Sequence, residues 1–185
     1  MTDTQTIRDL IDRLTRLNAS EEWNGPLNPS QFAALSYLAR ANRFSRAPSH
    51  VADFLATTRG TASQTLKALA RKAFIAEARS ESDKRSIRYD VTREGQDLLK
   101  ETSELESAVD TLPPEITESL AASLKALVLA LLQQRGGRSF GLCRTCRHHE
   151  RTAAGGHCRL LDVSLKPHEA SQLCHEHTPG QETAP

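Results

Sequence analysis

Four cysteines, Cys143, Cys146, Cys158 and Cys174, lie in the last quarter of the chain with the spacing C-x2-C-x11-C-x15-C, and none precedes them. A CxxC turn brings two thiolates to one point. Two more cysteines complete either a tetrahedral zinc site or the one-thiolate-per-iron ligand set of a [4Fe-4S] cluster. Structural zinc sites more often pair two such turns. One CxxC with two solitary cysteines therefore points first to an iron–sulfur cluster and second to zinc, with free or disulfide-forming thiols third. Six histidines, His148, His149, His157, His168, His175 and His177, share this segment. Any of them could replace a cysteine or donate to one from outside, but four thiolates are the simplest ligand set.

A second group lies in the middle of the chain. At 100° per residue, Ala62, Leu66, Leu69 and Ala73 fall in one narrow stripe, while Gly60, Gln64, Lys67 and Arg71 fall opposite. No acidic residue occurs between Gly60 and Phe74. A short helix whose outer face is amide and cation suits a DNA major groove, where amides read base edges and cations meet phosphates. A merely solvated face would mix in Glu. The net charge of +1 hides opposed blocks: residues 40–88 hold 11 Lys or Arg against 4 Asp or Glu, and residues 89–118 hold 2 against 9. The basic block next to an acidic one suggests a surface for a polyanion, with solvated helix faces of mixed sign as the alternative on charge alone.

The elements that must position these groups are mostly helices. With 38% apolar and 4% aromatic residues, a core built from Leu, Ala and Val is expected, and an all-β sandwich is not. Ile7, Leu10, Ile11, Leu14 and Leu17 mark one amphipathic helix, broken at Trp23 to Pro26. Asn28-Pro29-Ser30 starts a second, with Phe32, Leu35, Leu38 and Ala39 inward. A short helix at 48–56 and a turn at 57–61 precede the cationic helix. Residues 74–78 and 87–91 then alternate as two strands of a hairpin, with Arg79, Lys84 and Arg85 about its tip. Leu98 to Leu112 reads as one helix ended by Pro113-Pro114, and Ile116 to Leu131 as a second, strongly apolar one. Two chains packed through that stripe would bury it, so a homodimer is expected. Gly136-Gly137 ends it, and residues 178–185 read as disordered.

Residues 27–99 resemble the winged helix-turn-helix of the MarR family of bacterial transcription regulators. The most specific element is the wing pattern D-x-R, five residues, then V/L-T-x-x-G, present as Asp83-Lys84-Arg85 followed by Val91-Thr92-Arg93-Glu94-Gly95. The stretch Thr61 to Ile75 fits the family's recognition helix. The resemblance implies a mainly α fold with a small β-wing, a dimer formed by the terminal helices, and recognition helices in successive major grooves of a near-palindromic operator. It places Ser63, Gln64 and Lys67 on the base-reading face and Arg85 in a minor groove. Arg59, Thr61, Arg71 and Lys84 join the DNA-binding set, and Asp83 orients Arg85. One departure is Ala73, where the family has Gly, because Ala resists a positive φ. The cysteine segment lies outside the family pattern, and its spacing is distantly similar to high-potential iron–sulfur proteins.

The expected organisation is a dimerisation helix and linker at 1–26, the winged helix at 27–95, dimerisation helices at 96–135 and a Cys/His-rich metal-binding tail at 136–185. The expected function is sequence-specific DNA binding, of a repressor by the resemblance, with the cluster acting through the end of the dimerisation helix. A structural zinc with a small-molecule effector is the alternative. An electron-transfer or protein-docking module is the alternative of another class. No apolar stretch approaches the roughly 20 residues of a membrane span, since Leu120 to Leu132 is interrupted by Lys125. The charged start argues against an export signal, and a cytoplasmic protein is expected. No nucleophile–base pair or Gly-rich phosphate loop suggests an enzyme, and Ser49-His50 reads as a plain helix start.

Overall fold

A computed structural model describes residues 2–22, 25–79, 87–100, 103–153 and 155–180. Helices α1 (Asp3–Glu22), α2 (Pro29–Arg40), α3 (Pro48–Phe54) and α4 (Arg59–Arg71) lead into an antiparallel hairpin, β1 (Ile75–Arg79) with β2 (Ile87–Val91). Then come α5 (Arg93–Leu98), α6 (Glu104–Asp110) and α7 (Pro114–Gln134). The architecture is mainly α with a small wing, as expected. The wing tip, with Asp83, Lys84 and Arg85, lies outside the described residues, as do Trp23 and Asn24.

The core belongs to the winged helix. Leu35, Tyr37, Leu38, Val51, Leu66 and Leu69 are fully buried, with Ile75 and Tyr89 from the wing strands closing one side. Local chemistry sets the helix ends. Asn28 caps α2 in a reciprocal box with Gln31, and Pro29 occupies the first turn, where its missing N–H costs nothing. Thr58 Oγ1 accepts from the Thr61 N–H at 3.1 Å and starts α4, so Arg59, Gly60 and Thr61 belong to the helix and not to the turn before it.

The single helix expected over 98–112 is two. Ser103 and Glu106 form a capping box that starts α6 inside the apolar run. Such a box offers the backbone a helix start that periodicity does not register.

After α7 the chain forms a small β-rich module. It contains β3 (Gly141–Leu142), β4 (His149–Thr152), β5 (Gly155–Cys158), β6 (Val163–Leu165) and β7 (Leu173–Cys174), with 3-10 turns at Cys143–Thr145 and Pro167–Ser171. Strand β3 pairs with β7, and β4, β5 and β6 form an antiparallel sheet. Thr178 to Gly180, read from sequence as loose, pair with the CxxC turn: Arg147 N–H bonds Thr178 O at 2.9 Å and Gly180 N–H bonds Thr145 O at 3.0 Å. Among the described residues, no helix is long and apolar enough to cross a membrane.

Candidate functional site

Helix α4 has the two-faced character its periodicity predicts. Ala62, Leu66 and Leu69 are buried, while Arg59, Thr61, Gln64, Lys67 and Arg71 are exposed and Ser63 is half-buried. Ala73, assigned to the inward stripe, is exposed instead, because the helix has already ended. The end is a Schellman motif: Phe74 N–H reaches Leu69 O at 3.1 Å and Ala73 N–H reaches Ala70 O at 3.0 Å, with Ala73 at φ 62. Ala73 thus takes the left-handed conformation that glycine adopts freely. The same motif closes α7, with Gly136 at φ 61 and Gly137 N–H on Leu132 O at 2.8 Å.

The V-T-x-x-G half of the wing pattern is explained by packing. Thr92 Oγ1 donates to Ala73 O at 2.7 Å and accepts from Gly95 N–H at 3.1 Å, tying the end of α4 to the start of α5. A side chain at Gly95 would run into the Phe74 carbonyl. Arg79 at the end of β1 is exposed beside the undescribed tip.

The four cysteines share the C-terminal module. Cys143, Cys158 and Cys174 are buried, Cys146 is half-buried, and all four are free thiols. Cys146 N–H bonds Cys143 O at 3.1 Å in the CxxC turn, and its Sγ accepts from Thr178 N–H at 3.5 Å. Cys158 pairs with His149 across β4 and β5. Burial, then the charges of Cys174, Cys158, Cys146 and Glu169, push the Cys143 thiol up to about 12. Four thiolates would repel one another here unless a cation neutralised them. As they stand, no three Cys, His, Asp or Glu side chains among the described residues form a group that could hold a metal ion.

Sequence reasoning missed where this module sits. It folds back on the corner between α2 and α3. Ala41 bridges Leu173, Asn42 N–H bonds Leu173 O at 2.9 Å, and His175 N–H bonds Ser45 Oγ at 2.8 Å. The Arg43 guanidinium holds the buried Glu169 carboxylate at 2.9 Å and Ser164 O at 2.9 Å, and Phe44 packs against Cys143, Cys158 and Leu165. Phe140 lies edge-on to Tyr37, Phe54 and His175. His50, a plain helix residue from sequence, stacks on His175 at 3.8 Å, and His175 Nε2 meets Asp53 Oδ2 at 3.1 Å. Apart from Phe140 on His175, these contacts join residues more than 80 positions apart, so no local pattern announces them.

A recognition-type helix seated on α2 and α3 and followed by a two-stranded hairpin defines a winged-helix protein. Residues 26–86 match the MarR family. Among solved structures, a MarR transcriptional regulator from Methanosarcina mazei Go1 superposes with a TM-score of 0.59 at 20% identity, over 70% of this chain and 98% of that one. The S. aureus MepR–DNA complex gives 0.56 at 20% identity, with the same coverage of both chains. Streptococcus pneumoniae FabT in complex with DNA gives 0.55 at 23% identity, over 71% of this chain and 99% of that one. The fold is therefore that of MarR regulators, covered over nearly their whole length, with further chain added here. No curated protein matches this sequence.

Proposed function

We propose that this protein is a homodimeric, sequence-specific DNA-binding transcription regulator, acting as a repressor. The observation that carries this reading is the exposed, acid-free face of α4, with Gln64, Lys67, Arg71, Arg59 and Thr61 held outward by the buried Ala62, Leu66 and Leu69. Two proteins of the same fold, MepR and FabT, have structures in complex with DNA. On this reading Gln64 and Lys67 contact bases from the major groove, and Arg59 and Arg71 meet phosphates on either side. Lys84 and Arg85 serve the wing, with Asp83 orienting Arg85. The dimer rests on α1 and α7, whose Leu10, Leu17, Ile116, Leu124 and Val128 are 42–58% exposed in the single chain, with no buried residue in α7. Covering that surface needs a partner.

Selection from an oligonucleotide pool followed by titration at several salt concentrations tests the proposal. Binding should weaken steeply with salt and discriminate between sequences. Gln64→Ala and Lys67→Ala should each cost about 1–3 kcal/mol on the selected operator with the fold intact. Wild-type affinity in both variants would refute the assignment of α4.

The cysteines form the regulatory half of this proposal. Cys143, Cys146, Cys158 and Cys174 would hold a [4Fe-4S] cluster, whose loss to oxidants or iron starvation would change DNA affinity. Support comes from the CxxC spacing and from the burial of Cys143, Cys158 and Cys174, with the other three cysteines raising the Cys143 thiol. A zinc ion needs all its sulfurs about 2.3 Å from one point, whereas a cluster takes one thiolate at each iron. Anaerobic purification with iron, sulfide and zinc analysis decides between them. A second reading is structural zinc with an organic effector, and its effector half is favoured by a cleft of about 630 Å³ between α1, α2 and the α3–α4 turn, lined by Leu14, Thr15, Ala33, Leu55 and Thr65.

A further inference from the structure

We propose that the C-terminal module is a second DNA-contacting surface, which grips the phosphate backbone beside each half-site through Arg144, Arg147 and Arg159. This rests on the DNA-binding reading and deepens it. It requires no metal.

The module is lopsided in charge where it meets solvent. Residues 138–180 carry six Arg or Lys against four Asp or Glu. Three of the four acids are engaged: Glu169 lies buried against Arg43, Glu176 holds Arg138 at 2.7 Å, and Asp162 meets His157 at 3.3 Å. The fourth, Glu150, stands on β4 opposite His157. Arg144, Arg147, Arg151, Arg159 and Lys166 are exposed, and among the described residues none of them forms an ion pair. A solvated face of mixed sign would pair its cations with acids.

Three of these arginines gather about the CxxC turn. The Arg159 backbone N–H bonds His148 O at 2.9 Å and its guanidinium donates to Arg147 O at 2.8 Å, which sets Arg147 and Arg159 side by side. Arg144, one 3-10 turn earlier, donates to Ser171 Oγ at 3.0 Å. A guanidinium fixed through one nitrogen keeps further donors in a planar fork and loses less entropy on binding, and that fork matches the oxygens of a phosphate.

The seat of the module brings this surface to DNA. In a helix-turn-helix the second helix enters the major groove while the first crosses the backbone. Here α3 is the first helix, and the module sits on it: His175 stacks on His50 and meets Asp53, and Phe140 lies edge-on to Phe54 at 5.2 Å. At the same corner Arg46 bonds Asp90 of β2 at 2.7 Å, so the module adjoins the wing strand as well. A unit of this size is about 25 Å across, which places its arginines within about 7 base pairs of the point where α3 crosses the backbone.

Titration of the full-length protein on its selected operator at several salt concentrations, together with hydroxyl-radical footprinting, tests this. Each phosphate contact contributes about 0.9 to the slope of log affinity against log salt, so Arg147→Gln combined with Arg159→Gln should flatten the slope by about 3 to 4 in a dimer. Affinity should fall by the same factor on the operator and on unrelated duplex, because phosphates carry no sequence. The outermost protected sugars should disappear while those over the half-sites stay. Arg147→Lys combined with Arg159→Lys should keep most of the slope, which separates lost charge from a disturbed module. A Gln pair with the wild-type slope and footprint, or a Lys pair as impaired as the Gln pair, would overturn the proposal. A wild-type protein that selects no operator overturns the DNA-binding reading itself, and the selection shows this before any arginine is changed.

Discussion

Ala73 and His50 each sit where the fold asks something unfavourable of the residue type. Ala73 holds φ 62 at the end of α4, so Ala73→Gly should stabilise the protein by about 1 kcal/mol, read as a higher urea midpoint at unchanged slope. His50 is held neutral down to about 4 by burial and by His175, against the pull of Glu176 and Asp53 and with a further push from Arg138. The unfolded chain takes up its proton near 6.5, so the folded state binds fewer protons between those values. Stability from this group is complete above about pH 6.5 and is lost as pH falls toward 4. Urea midpoints between pH 7.5 and 4.5 should show this decline, and His50→Gln should flatten it. The departure at Ala73 is visible in the sequence because glycine is the usual residue at a left-handed helix end. The cost at His50 is not, since it arises from burial and from a ring 125 positions away.

Among the elements, α7 is the one whose role the single chain leaves incomplete. Leu124→Glu should give monomers by sedimentation without lowering the melting temperature of the winged helix, because α7 buries nothing within its own chain. Operator affinity should fall about 100-fold or more as the two half-sites lose their linkage. The α2–α3 corner behaves oppositely, as a clamp. Arg43→Ala strands the buried Glu169 carboxylate and should cost about 2 kcal/mol, with residues 138–180 cut sooner in limited proteolysis. The α4 face was legible because a 3.6-residue period repeats over three turns. The break at Ser103 was not, since one capping box interrupts a period that continues past it.

For the whole molecule, the corner at residues 41–46 joins the added C-terminal module to the winged helix. Cys158→Ser should abolish metal binding, and the loss should alter DNA affinity while leaving the salt slope of nonspecific binding unchanged, since no phosphate contact is removed. Metal retention in Cys158→Ser together with wild-type DNA binding would separate the cysteines from regulation.

The sequence alone determined most of the helices, though not the break before α6, together with the cationic outer face of α4, the wing pattern and the chemistry open to four cysteines. Each of these is a local regularity of period, spacing or charge. Only the tertiary structure decided that the cysteine module docks on residues 41–46 instead of trailing from α7, and that Gly95 is required by the Phe74 carbonyl. Those outcomes rest on single buried hydrogen bonds and contacts between distant residues, such as His175 to Ser45 across 130 positions. Such pairs repeat with no period, so their partners exist only once the chain has folded.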